Sequence, residues 1–167
     1  DFPHLMLRYR TYQKKLNKLK SIPTQLAQID RNAKIGIMFS SIINWALNIK
    51  NKLIRKVIEL ISGIDMRVIL PTYNSETFTN YFKKNKDLIN KEILSNNRKV
   101  VIYSTCFVNF NKKNTGVAAL KVLQKNGVEV QEAYPGCCGM PFLEQADLPK
   151  VVEQAKKVSK DLLNWVE

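Results

Sequence analysis

Apolar residues recur at two different periods along this chain, and the place where the period changes divides it. The opening stretch "FPHLMLRYRTYQKKLNKL" sets Leu5, Leu7, Tyr9, Tyr12, Leu16 and Leu19 at roughly helical spacing. Asp1 stands where an N-cap belongs, and Pro3 falls in the first turn, where its missing N–H costs little. A short basic helix is predicted. The next stretch, "SIPTQLAQIDRNAKIGIMFSSIINWALNIKNKLIRKVIELISGID", predicts a second short helix and then a long one, broken at Gly63. Its aromatic residues Phe39 and Trp45, with Tyr9 and Tyr12 before them, are expected in a core. "MRVILPTYNSETFTNYFKKNKDLINKEILSNN" reads as a linker carrying a helix or two, with Pro71 and Asn74 marking turns.

From Arg98 the texture changes. "KVVIYSTC" is a β-branched run ending at Cys106, the pattern of a buried strand. In "FNKKNTGVAALKVLQKNG", Asn114 or Thr115 is placed to cap a helix containing Val117, Leu120, Val122 and Leu123, which Asn126-Gly127 closes. "VEVQEAY" predicts a second strand. From Asp147 a last helix shows Leu148, Val151, Val152, Ala155, Val158, Leu162, Leu163 and Val166 at helical spacing.

Strand, helix, strand, helix is a βαβα unit, so the two strands are expected to lie parallel with a right-handed crossover. The fold class is therefore α/β: a helical, basic N-terminal extension over residues 1–97, then an incomplete parallel βαβα unit over 98–167. Cys106 and the pair Cys137-Cys138 both follow the carboxyl ends of strands, the edge at which open α/β sheets hold ligands. They are expected to be neighbours in space.

Charge sharpens the division. Residues 1 to 98 hold 18 Lys and Arg against 7 Asp and Glu, while residues 99 to 167 hold 9 against 7, within a net +13. A basic first part fits a solvated surface, nucleic acid, anionic lipid or an acidic partner, and charge alone does not choose among them. The apolar run from Ile35 to Ile49 is interrupted by Asn44 and two serines and falls short of the about 20 apolar residues that a membrane span needs. Trp45 followed by Lys50, Lys52, Arg55 and Lys56 nevertheless suits a helix resting on an anionic membrane surface. The first residue is Asp1 and the last helical pattern still runs at Glu167, so the chain is expected to be an internal piece of a longer polypeptide.

Three cysteines is an odd number, and no secretory signal pattern is present, which points to a reducing cytoplasm rather than a disulfide framework. The stretch "YPGCCGMP" then carries the chemistry. Adjacent cysteines project in different directions and bond to each other with difficulty, yet both can serve as thiolate ligands to soft metals, iron in sulfur clusters or zinc. Gly136 and Gly139 allow positive φ, Pro135 and Pro141 stiffen the loop, and the helix start after Cys106 with Lys112 and Lys113 would favour an anionic group.

"STCFVNFNKKNTGVAALKVLQKNGVEVQEAYPGCCGMPFLEQADL" resembles the first half of a CCG domain, the cysteine-rich unit of iron–sulfur oxidoreductases of the heterodisulfide reductase and anaerobic glycerol-3-phosphate dehydrogenase type. The family pattern is a cysteine, a spacer, Cys-Cys-Gly, a second spacer and a closing cysteine motif, and the first spacer here is at the short end of its range. "DFPHLMLRYRTY" and "LPTYNSETFTNYFKK" resemble the linker that precedes the first such domain. The resemblance implies that Cys106, Cys137 and Cys138 are ligands of an iron–sulfur cluster of the 4Fe–4S type, with Gly139 matching the family glycine. It also implies an electron-transfer subunit, working with flavoprotein or quinone-linked subunits in the cytoplasm or at the inner face of the cell membrane. Three thiols are an incomplete set for such a cluster.

Two rival readings remain at this level. A thiol-redox enzyme would use Cys137 or Cys138 as nucleophile, but Cys-X-X-Cys is missing, and the single histidine, His4, reads as a surface residue. A nucleic-acid-binding module would use the basic first part, but zinc-finger spacing and a Gly-rich phosphate loop are missing, and no nucleic acid is expected.

Overall fold

The computed structural model describes residues 1–16, 27–90 and 98–165. Among these, α1 spans Phe2–Lys15, α2 Ile29–Met38, α3 Ser40–Leu47, α4 Lys52–Ser62 and α5 Phe78–Asn90. Then follow β1 Lys99–Tyr103, α6 Cys106–Phe110, α7 Lys113–Lys125, β2 Glu129–Ala133, α8 Met140–Glu144 and α9 Leu148–Leu163. The second short helix read from the sequence falls largely in 17–26, outside the described residues. Two compact units form: residues 1–32 with 135–167, and residues 33–134.

The unit of residues 33–134 holds the sheet. β1 and β2 pair in parallel, in a register that sets Lys99 against Glu129 and Tyr103 against Ala133, so the α/β class and the strand order agree with the sequence pattern. Its core joins Phe78, Phe82 and Ile89 of α5 to Leu120 of α7 and Val130 of β2. Gly116 makes this packing possible: a Cβ there would stand 2.6 Å from the Phe78 ring, inside van der Waals contact. The stretch before 98 is thus more than a linker, because α5 covers the sheet. Phe78 and Phe82 share one turn of its inner face, and Lys83, Lys84 and Lys86 on the outer face dilute that signal in the sequence.

Where the sequence predicts a long helix ahead of Gly63, the described residues hold the three helices α2, α3 and α4. Asparagine side chains compete with the helical backbone at the second break: Asn48 Oδ1 accepts from the Lys50 N–H at 2.9 Å, and Asn51 Nδ2 donates to the Trp45 carbonyl at 2.5 Å. Gly63 ends α4 in the left-handed conformation, φ +72°, as expected. The expected core aromatics Tyr9, Tyr12, Phe39 and Trp45 are exposed. What α4 buries is Arg55, whose guanidinium donates to the carbonyls of Asp65, Met66 and Val68 and ties down the chain that leaves the helix.

Segment 72–74 is pinned by asparagines. Asn44 forms a reciprocal pair with the Tyr73 backbone, both bonds 2.8 Å, and Asn111 donates to the Thr72 carbonyl at 2.8 Å. Under the end of the sheet, the buried Glu132 carboxylate accepts from the hydroxyls of Ser104 and Thr79, while Asn109 Oδ1 accepts from the Thr79 backbone N–H at 3.0 Å. A buried carboxylate needs such donors, and here they join β2 to α5 and to the residue after β1, while Asn109 ties α6 to α5.

In the other unit, Arg10 of α1 donates to the Glu144 carbonyl at 2.7 Å, and Lys14 pairs with Asp147 at 2.8 Å. Burial pushes the Asp147 carboxyl up, but the hydrogen bond and charge of Lys14, helped by Lys150, bring it below the ordinary carboxylate range. Asp147 is also the N-cap position of α9, as the sequence pattern places it. His4 sits on the surface, paired with Asp1 at 2.9 Å.

Candidate functional site

The first thiol is set by a turn rather than by a strand. β1 ends at Tyr103, earlier than expected, and the Ser104 N–H extends the ladder with a bond to the Ala133 carbonyl. Thr105 keeps extended geometry (ψ 160°) and caps α6, its hydroxyl accepting from the Val108 N–H. Cys106 is the first residue of that helix and half-buried. The cations expected beside it are otherwise engaged in the case of Lys113, which pairs with Glu76 at 3.2 Å and lies over the Tyr81 ring. Lys112, and not Asn114 or Thr115, holds the cap position of α7, because the helix starts a turn earlier than the sequence indicates.

The vicinal pair belongs to the other unit. Gly136 and Gly139 bracket it with φ of +142° and +92°, a region that L side chains rarely adopt. Space is also tight at Gly139: a Cβ would stand 3.3 Å from Gln154 Cβ, which would have to give by a few tenths of an ångström, and 3.6 Å from Val151 Cα on α9. The two thiols consequently face different surroundings, Cys137 buried and Cys138 exposed. The Cys137 N–H donates to Asp30 Oδ2 at 3.0 Å. Beside this bond lies a cleft of about 280 Å³ bordered by Asp30, Arg31, Cys137, Phe142, Lys150 and Gln154. Gln154 Oε1 is buried there without a hydrogen-bond partner.

Of the three sequence-predicted ligands, Cys137 and Cys138 share one loop and Cys106 opens a helix in the sheet-bearing unit. Among the described residues, no group of three or more His, Cys, Asp and Glu side chains is gathered to hold a metal ion. Thiols are the donors that soft metals take, so the chemistry of the three cysteines, though not an assembled ligand set, fits such a group. Sequence reasoning missed Asp30, which meets Cys137 across 107 residues of chain. An acidic residue in the first turn of a helix is common, and nothing local marks this one.

Comparison with known proteins adds the family context. Residues 100–165 match the CCG family, the Cysteine-rich domain. Over 131 residues the chain is 28% identical to the C subunit of the anaerobic glycerol-3-phosphate dehydrogenase of Escherichia coli (strain K12), covering 78% of this chain and 32% of the relative. Over 70 residues it is 34% identical to lactate utilization protein A of Macrococcus caseolyticus (strain JCSC5402), covering 41% of this chain and 27% of the relative. The chain therefore spans about a third of the length of these curated relatives. No solved structure matches it. The chain is homologous, at modest identity, to both proteins, and the resemblance read from its cysteine spacing is sound.

Proposed function

Taking the match of residues 100–165 to the cysteine-rich CCG domain as premise, we propose that this chain is part of an electron-transfer subunit of an oxidoreductase and binds an iron–sulfur cluster through Cys106, Cys137 and Cys138. The observation that carries this reading is that all three thiols fall inside the matched segment, each just beyond the carboxyl end of a strand. Those strand ends are partners: Tyr103 faces Ala133 in the parallel register, Cys106 lies three residues beyond the first and Cys137 four beyond the second. When bound, the cluster takes up and releases one electron. A 4Fe–4S centre ordinarily takes four thiolates, of which the cysteines of this chain would supply three.

The chain's own residues do the rest. Gly136 and Gly139 let the loop turn so that the paired sulfurs diverge, Thr105 fixes the start of α6, and the Glu132 network holds the sheet end from which both cysteine segments leave. The relative named as a subunit of a dehydrogenase supports a place for this chain among other subunits of an oxidoreductase; that these are flavoprotein or quinone-linked subunits, in the cytoplasm, is part of the proposal. No helix among the described residues is long and apolar enough to cross a membrane. Contact with an anionic membrane surface is supported by α4, where Leu53, Val57, Leu60 and Ile61 form one exposed apolar stripe edged by exposed Lys52 and Lys56.

Iron and sulfide analysis with visible absorption on the full-length protein tests the cluster. Wild type is expected to carry iron, and each of Cys106→Ser, Cys137→Ser and Cys138→Ser is expected to lose it together with the visible band. Full iron occupancy in any one variant rejects that residue as a ligand.

A further inference from the structure

The backbone of the vicinal pair is gripped by a charge. Cys137, only 3% exposed, gives its N–H to Asp30 Oδ2 at 3.0 Å. The same oxygen lies 3.4 Å from where a Cβ on Gly136 would stand, an ordinary contact, so it is the φ of +142° rather than space that favours glycine there. Lys157 Nζ lies 3.6 Å from that position, and Arg31, Lys150 and Glu153 border the adjoining cleft.

A carboxylate held here acts twice on any centre that Cys137 ligates. It places a negative charge next to a buried sulfur, which disfavours adding an electron. It also occupies an N–H that would otherwise be free to bond a sulfur, and such bonds are among the factors that set the potential of an iron–sulfur centre. Both effects favour the oxidised form. The neighbouring Lys157 and Arg31 soften the field without reversing the effect of removing the acid: with Asp30 neutral, those cations remain.

We infer that Asp30 is a positioning residue that fixes the Cys137 amide and lowers the reduction potential of the centre bound at the vicinal cysteines. The inference rests on the cluster reading above. Its test is a potentiometric titration of the full-length, cluster-loaded protein, followed by visible absorption, comparing wild type with Asp30→Asn and Asp30→Ala. Asparagine keeps an oxygen acceptor for the amide and removes only the charge, whereas alanine removes both. The midpoint potential is expected to rise in Asp30→Asn and to rise further in Asp30→Ala, at wild-type iron content. Potentials unchanged or lowered in iron-bearing variants overturn the inference and leave the cluster reading standing. Loss of iron from both variants while wild type keeps it assigns Asp30 to loop folding alone and overturns the inference likewise. A wild-type protein without iron overturns the cluster reading, and this inference with it.

Discussion

Adding one methyl group at Gly139 does two things to the cysteine loop, while the same change at Gly63 does one. At both positions φ is positive, +92° and +72°, so alanine is strained at either. Around Gly63 there is open space, and the expected cost of Gly63→Ala is about 1 kcal/mol. At Gly139 the new carbon also meets Gln154 and Val151 of α9, so Gly139→Ala is expected to cost roughly 2–3 kcal/mol. Urea unfolding of the two variants checks the order, and a milder effect at Gly139 would show that α9 yields to the loop. The Cys-Cys-Gly run was legible in the sequence because the chemistry and the backbone demand sit in consecutive residues. Asp30 was not, because a hydrogen bond between residues 107 apart leaves no periodic or local trace.

At the scale of elements, α5 decides how well the sheet is covered. Its Phe78 is fully buried against Gly116 and belongs to the cluster with Leu120 and Val130. Phe78→Ala is expected to lower stability by about 3–5 kcal/mol, read as a shift of the denaturation midpoint at unchanged slope. A loss under about 1 kcal/mol would return α5 to the status of a loosely attached linker. The strands, α7 and α9 were legible because each has an uninterrupted period and a clear end: β-branched residues in β1, Asn126-Gly127 after α7, Asp147 before α9. The helices between 29 and 62 were not. Periodicity across them is nearly continuous, and the break between α3 and α4 comes from asparagine side chains bonding to nearby backbone, a competition the apolar pattern does not record. The outward-facing apolar residues escaped for a related reason. An apolar stripe announces an amphipathic helix but not which side is inward, and in α4 the inward side is chosen by Arg55, about 200° round the helix from Leu53. Glu76 supplies a pH signature for the sheet-bearing unit. The hydrogen bonds and charges of Lys84 and Lys113 hold its carboxyl below the ordinary range. A carboxyl depressed by folding stabilises above its unfolded pKa of about 4 and loses that contribution as pH falls through the lower folded value. Asp147 acts in the same direction in the other unit. Thermal stability is therefore expected to hold from neutral pH down to about pH 4 and to fall below it. Lys113→Met should flatten part of that acid limb, and an unaltered limb would remove Glu76 from the account.

For the molecule as a whole, the net charge of +13 and the outward face of α4 bear on the same question. Leu53, Val57, Leu60 and Ile61 are 84%, 56%, 87% and 70% exposed and recur at the spacing of one helical stripe. Such a row, uncovered among the described residues, has the character of a contact surface. Exposed Lys50, Lys52 and Lys56 lie along it, and cations beside an apolar face suit a membrane with anionic headgroups, each worth about 1 kcal/mol near such a surface. On the proposed membrane reading, two features of binding are expected from having both forces. Removing the apolar contact by Val57→Asp with Leu60→Asp should abolish co-sedimentation with phosphatidylglycerol-containing vesicles, and because both side chains are exposed, the circular dichroism spectrum should not change. Raising salt should weaken the wild-type interaction progressively, since screening acts on the lysines and not on the leucines. Equal binding to purely zwitterionic vesicles would assign the contact to the apolar stripe alone. No binding to either kind of vesicle would leave the stripe to a protein partner, and the membrane reading would fall.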